Sequence, residues 1–211
     1  MFEQVLSGAT RSRLALLAEK GLSQPFYLAG GTAIALHLGH RISVDLDFYS
    51  RDHFDVNMLE MKLQDIPGYR RDRLAEDTLL GALGDLRISF FWYRYNLLEE
   101  PLLALDTHIL QLPDLAAMKI EAIGQRNVRR DFIDLYFLAK QANIPPEKAI
   151  EYHRKKYAGF NINLMHLILS LGYFEDADGN EMPKMLMPVS WEEVKQYFLR
   201  ESQSLARSHI A

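Results

Sequence analysis

The 211-residue chain contains no cysteine. A disulfide framework, a thiolate zinc site and a cysteine nucleophile are therefore excluded, and a reducing compartment fits. Long hydrophobic runs are missing too. The longest apolar stretches fall far short of the ~20 residues that a membrane-spanning helix needs. The opening segment MFEQVLSGATRSRLALLAEKG lacks the apolar stretch of a signal peptide. A cytoplasmic location with no membrane partner is the expectation. Nor is there a surplus of positive charge. The formal net charge is −4, so no global basic field recruits nucleic acid or anionic membrane, and a polyanionic partner must find a local basic patch. Internal repeats, low-complexity tracts and linkers rich in Gly, Pro or Ser are all lacking. What is present is ordinary globular material, 48% hydrophobic and 25% charged, sufficient for a packed core.

The periodicities predict a mixed first part and a helical second part. Residues 1–22 read as helix up to Pro25, and 26–29 as a short strand ending in Gly30-Gly31. Thr32 opens the helix AIALHLG, which Gly39 stops. From Ile42 to Tyr49 the pattern alternates, with Val44, Leu46 and Phe48 on one face and Asp45 and Asp47 on the other, as in a half-buried strand. A helix is predicted over 54–64. Residues 69–95 are β-like, with Leu79–Leu83 and Leu86–Tyr95 flanking a Gly84-Asp85 hairpin turn, and 106–110 add a short strand. Helices follow over 114–123, 129–140, 146–156, 161–171 and 191–207, with 174–188 as a loop or hairpin arm. The fold class expected is α+β: a mixed β-sheet with flanking helices over 1–110, and a helical part over 111–211 packed on it as one unit.

Two features of the first part carry chemistry. Gly30-Gly31-Thr32 lies at a strand-to-helix turn, where glycine lets a ligand approach the backbone and a helix N-terminus offers free N–H groups to phosphate. Alone, such a turn is ordinary. Asp45 and Asp47 lie two apart on a strand and so point the same way. Their carboxylates repel unless a cation intervenes, and a hard ion such as Mg²⁺ or Mn²⁺ takes carboxylate, phosphate and water oxygens together. Asp176-Ala177-Asp178 has the same spacing but lies beside Gly179-Asn180 in a polar turn, and reads as structure. The combination is more specific: phosphate-binding amides beside a metal-binding pair are what phosphoryl transfer needs.

The stretch LAGGTAIALHLGHRISVDLDF resembles the signature of the DNA polymerase beta-type nucleotidyltransferase superfamily. MKIEAIGQRNVRRDFIDLYFL and YFEDADGNEMPKMLMPVSWEEVKQYF are similar to the second half of the AbiEii/AbiGii toxin-type nucleotidyltransferase family. The resemblance runs from about residue 26 to about 200 and implies a nucleotidyltransferase-like fold. It implies that Gly30, Gly31 and Thr32 bind nucleotide, that Asp45 and Asp47 are the metal pair, and that Lys119 meets nucleotide phosphates. Asp131 and Asp134 match the acids of the last motif. The superfamily's third carboxylate, on a later strand, has no counterpart in LRISFFWYRY. An NTP substrate, an RNA or tRNA acceptor and a cognate antitoxin partner are implied as well.

Other readings of the residues remain open. Lys119, among Met118, Ile120 and Ile123, has the setting of a lysine that snorkels from a core-facing helix. Arg130 and Asp134 have i,i+4 spacing and are expected to pair, leaving Asp131 as the freer acid. His37, His40 and His53 fit no compact zinc motif. The run His153–Tyr157 is expected to be a solvated face or a local basic patch for RNA, and Phe90, Phe91, Trp92, Tyr93 and Tyr95 to be sheet core. Competing functions are a small-molecule, antibiotic-like nucleotidyltransferase and an inactive module that binds nucleotide or a partner.

Overall fold

Alternation of apolar and polar residues builds the middle of the sheet. In the computed structural model, which describes residues 1–210, the strands are β1 (Tyr27–Ala29), β2 (Leu46–Ser50), β3 (Tyr69–Ala75), β4 (Thr78–Leu83), β5 (Leu86–Trp92), β6 (Leu102–Ala104) and β7 (Thr107–Ile109). They form one mixed sheet in the order β3-β4-β5-β2-β1-β7-β6. The central strand β2 runs antiparallel to β1 and parallel to β5. One face carries Phe48, Phe90 and Leu79 in register, and all three are fully buried. The opposite face carries Asp47, Ser89 and Leu80 and opens to a cleft.

Helices α1 (Gly8–Glu19), α2 (Gly30–Leu38) and α3 (Val56–Gln64) are interleaved with the strands. The second part is helical: α4 (Leu112–Arg126), α5 (Arg129–Ala142), α6 (Pro146–Lys156), α7 (Leu164–Ser170), the single turn α8 (Glu175–Asp178) and α9 (Trp191–Ile210). The expected α+β class is therefore found. One hydrophobic core runs through both parts, joining Phe48 and Leu28 of the sheet to Ile34 of α2, Phe132 and Leu135 of α5 and Phe198 of α9. A buried ion pair ties the helices to the chain entering them. Asp114 of α4 accepts Lys156 Nζ at 2.6 Å and the N–H groups of Leu98 and Glu99 at 3.0–3.1 Å.

Several boundaries differ from expectation for physical reasons. The helix after β1 begins at Gly30, so the glycines lie in its first turn instead of ahead of it; Gly39 (φ +70°) caps it as expected. The acid-bearing strand begins at Leu46, not at residue 42, and Val44 is 53% exposed. Residues 40–42 pair instead with the 174–188 arm, and Ser43 N–H donates to the Val5 carbonyl at 3.1 Å. Arg41 bridges Met185, Ile42 N–H donates to the Lys184 carbonyl at 2.9 Å, and the His40 carbonyl accepts from Leu186 and Met187. Strand β6 was not expected, because Leu102 and Leu103 are exposed and show no alternation. Asp176 and Asp178 lie in α8, where Asp178 accepts Trp191 Nε1 at 2.5 Å and Lys195 at 3.3 Å, a structural role as read.

Candidate active site

Strand register sets the first contact of the site. Ala29 of β1 pairs with Asp47 of β2, and the chain then turns into α2 through Gly30 at φ +65°. A Cβ on Gly30 would lie 2.6 Å from Asp47 Oδ2, so glycine is required both by backbone conformation and by the approach of the carboxylate. The N-terminus of α2, with its partial positive charge, thus abuts the acid pair. Asp47 Oδ1 accepts the Ser89 hydroxyl at 2.5 Å. Asp45, one residue before β2, takes a two-pronged contact from Arg87 at 3.0 and 3.2 Å and a longer one from Arg130 of α5 at 3.4 Å.

Gly31 and Thr32 border the same cleft, and both also hold its walls in place. A Cβ on Gly31 would lie 2.2 Å from Arg41 Nη2, so this glycine makes room for an arginine. The Thr32 hydroxyl is fully buried, hydrogen-bonded to Ser43 Oγ at 2.8 Å and to the Asp45 carbonyl. Its contacts fix the backbone from which the Asp45 side chain projects.

Behind the acid pair stands a buried charge network. Lys119 Nζ lies 2.6 Å from Asp131 Oδ1 and 2.8 Å from Asp134 Oδ2. Arg41 grips Asp134 with Nε at 2.7 Å and Nη2 at 2.9 Å, and His40 Nε2 meets the same carboxylate at 2.8 Å. Arg126 binds both oxygens of Asp131 at 2.8 and 3.0 Å. Both carboxylates are fully buried. Burial pushes their pKa values up, but the cations prevail. Lys119 and Arg126 hold Asp131 below the usual carboxylate range, and Arg41, Lys119 and the His40 hydrogen bond hold Asp134 well below it. Burial lowers the His40 pKa and keeps the ring neutral. Three cations against two carboxylates leave one positive charge.

Asp45, Asp47, Gly30, Gly31, Lys119, Arg126 and Arg130 all line one cleft of about 860 Å³. Lys119 therefore reaches the same space as the acid pair, although it sits on a core-facing helix. Asp131 and Asp134 stand behind it, and the expected pairing of Arg130 with Asp134 is replaced by Arg130–Asp45. Asp131 is accordingly not the freer acid. The register partner of Asp47 on β5 is Ser89, where no third carboxylate was expected. The other wall is aromatic: Tyr49, Phe91, Tyr93, Tyr95 and Tyr157 line it, whereas Phe90 alone of that group is fully buried core. Burial and the nearby Asp47 raise the Tyr49 pKa, keeping the hydroxyl protonated.

One further expectation is corrected. In the run His153–Tyr157, His153, Lys156 and Tyr157 are buried and only Arg154 and Lys155 are exposed. His37 binds the Leu110 carbonyl and His53 binds Asp77, so the three histidines serve three separate places. No cluster of three metal-ligating side chains occurs among the described residues. The sequence reading missed Arg41, Arg87 and Ser89. Period-two alternation in Leu86–Trp92 would have put Arg87, Ser89 and Phe91 on one face.

A central acid-bearing strand beside a helix N-terminus, closed by a lysine-bearing helix, is the nucleotidyltransferase arrangement, and solved structures agree on the fold. JHP933 from Helicobacter pylori superposes with a TM-score of 0.56 at 20% identity, over 96% of this chain and 94% of that one. MenT4, a nucleotidyltransferase toxin from Mycobacterium tuberculosis H37Rv, gives 0.50 at 17% identity, over 93% and 87%. The family model described as nucleotidyl transferase AbiEii toxin, type IV toxin–antitoxin system, matches residues 14–96 and 95–205. The chain belongs to the AbiEii nucleotidyltransferase toxin family. An uncharacterised protein of Aquifex aeolicus (strain VF5), aq_aa25, is 36% identical over 195 residues, covering 90% of this chain and 93% of that protein.

Proposed function

We propose that the protein transfers a nucleoside monophosphate from an NTP to an acceptor hydroxyl, RNA or tRNA by family resemblance, as the toxin of a toxin–antitoxin pair in the cytoplasm. The observation that carries this reading is the convergence of Asp45, Asp47, the α2 N-terminus and Lys119 on one cleft. In the reaction the acceptor oxygen forms a bond to the α-phosphorus. The bond from that phosphorus to the bridging oxygen breaks, and pyrophosphate leaves with the electron pair. The acceptor's proton passes to the Asp45/Asp47 pair.

The donor set fits a hard divalent cation. Two carboxylates share one face at the open cleft, and Ser89 holds one of them in place. Arg87, which lies across Asp45, is 69% exposed on its side chain, and an exposed ion pair exchanges at little cost. Asp45 and Asp47 would hold Mg²⁺ or Mn²⁺, which when bound supplies charge neutralisation at the transferring phosphate. Gly30 and Gly31 let the triphosphate approach the α2 N-terminus. Lys119 and Arg126 offset its charge, and the lysine acts as a compact point charge. Asp131 and Asp134 position these cations and do not act as proton acceptors, because their pKa values are held low.

Asp45→Asn and Asp47→Asn are each expected to lower transfer on the order of 10³-fold, several kcal/mol of transition-state stabilisation, with the thermal midpoint unchanged or raised. The assay is incubation of labelled NTPs, Mg²⁺ and total RNA with protein and variants. Labelled RNA that disappears in Asp45→Asn supports the reading. Label on an aminoglycoside-like compound alone, or NTP binding without any transfer, overturns it.

A further inference from the structure

The cleft face of the sheet continues past the acid pair toward the edge strand. Asp47 pairs with Ser89, Ser89 with Leu80, and Leu80 with Arg73. In a neighbouring row Arg87, bound to Asp45, pairs with Ala82, and Ala82 with Arg70. Residues opposed across neighbouring strands share a face, so Arg70 and Arg73 stand on the same face as the carboxylates. An irregularity in β3 between Arg71 and Arg73 permits this. Arg71 is turned to the other face, where it binds Glu60 of α3 at 3.2 Å. Three strand spacings separate Asp47 from Arg73, about 14 Å.

Between them Ser89, Leu80 and Gly81 line the cleft. The opposite end of this face is covered. Tyr27, which pairs with Tyr49, is 4% exposed, and Tyr157 at the end of α6 closes on Tyr93. The exit from the acid pair thus leads toward β3. Arg70 and Arg73 are exposed at the outer edge of the cleft, and Asp72, which lines it, is in an exposed pair with Arg70 at 3.0 Å. Such a pair is weak and exchangeable. A protein of net charge −4 has here the local basic patch that a polyanion requires.

We infer that the RNA acceptor of the proposed transfer runs along this face. Its phosphodiester backbone rests on Arg70 and Arg73, and its terminal hydroxyl reaches Asp45 and Asp47. The inference rests on the proposed transfer to a hydroxyl. Backbone contacts of this kind release counterions, so affinity falls with salt in proportion to the phosphates neutralised.

The test uses the full chain and a fluorescein-labelled oligoribonucleotide with a free 3′ hydroxyl, followed by anisotropy over a salt series. The variant Arg70→Ala/Arg73→Ala is expected to weaken binding about tenfold or more and to flatten the salt slope by about 0.7 per arginine removed. Arg70→Lys/Arg73→Lys is expected to keep the slope, and calorimetric affinity for a non-hydrolysable NTP is expected to stay unchanged in both. An unchanged slope in the alanine variant overturns the inference. So does loss of binding to polyglutamate with RNA binding intact, which would assign the face to an acidic protein. The two ideas fail separately. If the wild type transfers no nucleotide yet the slope changes as stated, the RNA track stands and the transfer reading falls.

Discussion

Asp134 is fully buried and ionised, gripped by Arg41, Lys119 and His40. Removing one member of such a group leaves a charge in the interior without its partner, at a cost of about 3–5 kcal/mol. Lys119→Met is expected to lose some stability as well as activity, since it removes the one cation that Asp131 and Asp134 share and leaves them to Arg126 and Arg41. Lys119→Arg, which keeps the charge, should recover more of the denaturant midpoint than of the transfer rate. Gly31 teaches a similar lesson. Its Cβ would meet the Arg41 guanidinium at 2.2 Å, so Gly31→Ala is expected to destabilise by about 1–3 kcal/mol through overpacking. Weaker NTP binding in that variant would not by itself show phosphate contact. His40 adds a pH dependence. Its folded pKa lies below the unfolded value of about 6.5, so the unfolded chain binds the proton more readily. Stability is full above that value and declines as the pH drops through it. Denaturant midpoints at pH 7.5 and 5.5 should differ in this direction, and by less in His40→Gln.

At the scale of elements, the joints between helices rest on single buried groups. Asp114 in the first turn of α4 holds Lys156 at the end of α6 and two N–H groups of the incoming chain. Asp114→Ala is expected to cost about 3–5 kcal/mol, measured by urea unfolding; a loss below 1 kcal/mol would mean that the pair is dispensable. Local elements were legible in the sequence where their cause is local. Alternation exposed the Asp45/Asp47 pair, Gly39 stopped α2, Gly84-Asp85 turned the hairpin, and α6 was bounded at Pro146 and Lys156 as expected. Partners far apart in the chain left no such trace. Arg41 meets Asp134 across 93 positions, and Arg87 meets Asp45 across 42. Residues 42–45 were expected as strand but precede it, because Ile42 bonds to Lys184 and Ser43 to Val5, partners that no window around Ile42 contains.

At the scale of the molecule, the single core predicts joint unfolding of both parts. The two tryptophans report on them separately, Trp92 at the end of β5 and Trp191 at the start of α9. Trp92→Phe and Trp191→Phe, each followed by the fluorescence of the remaining tryptophan, should show one transition at matching offsets from far-UV circular dichroism. Two separated midpoints would mean that the core is divided. No helix among the described residues is long and apolar enough to cross a membrane. The pairing of residues 40–42 with the arm near Met185 also matters during synthesis. The segment that anchors Arg41 beside Asp134 leaves the ribosome long after the Asp45/Asp47 strand, and domains form as their sequence emerges. A nascent chain that already displays both carboxylates thus lacks the arm that closes behind them. The cleft is complete only after residue 187 has been translated.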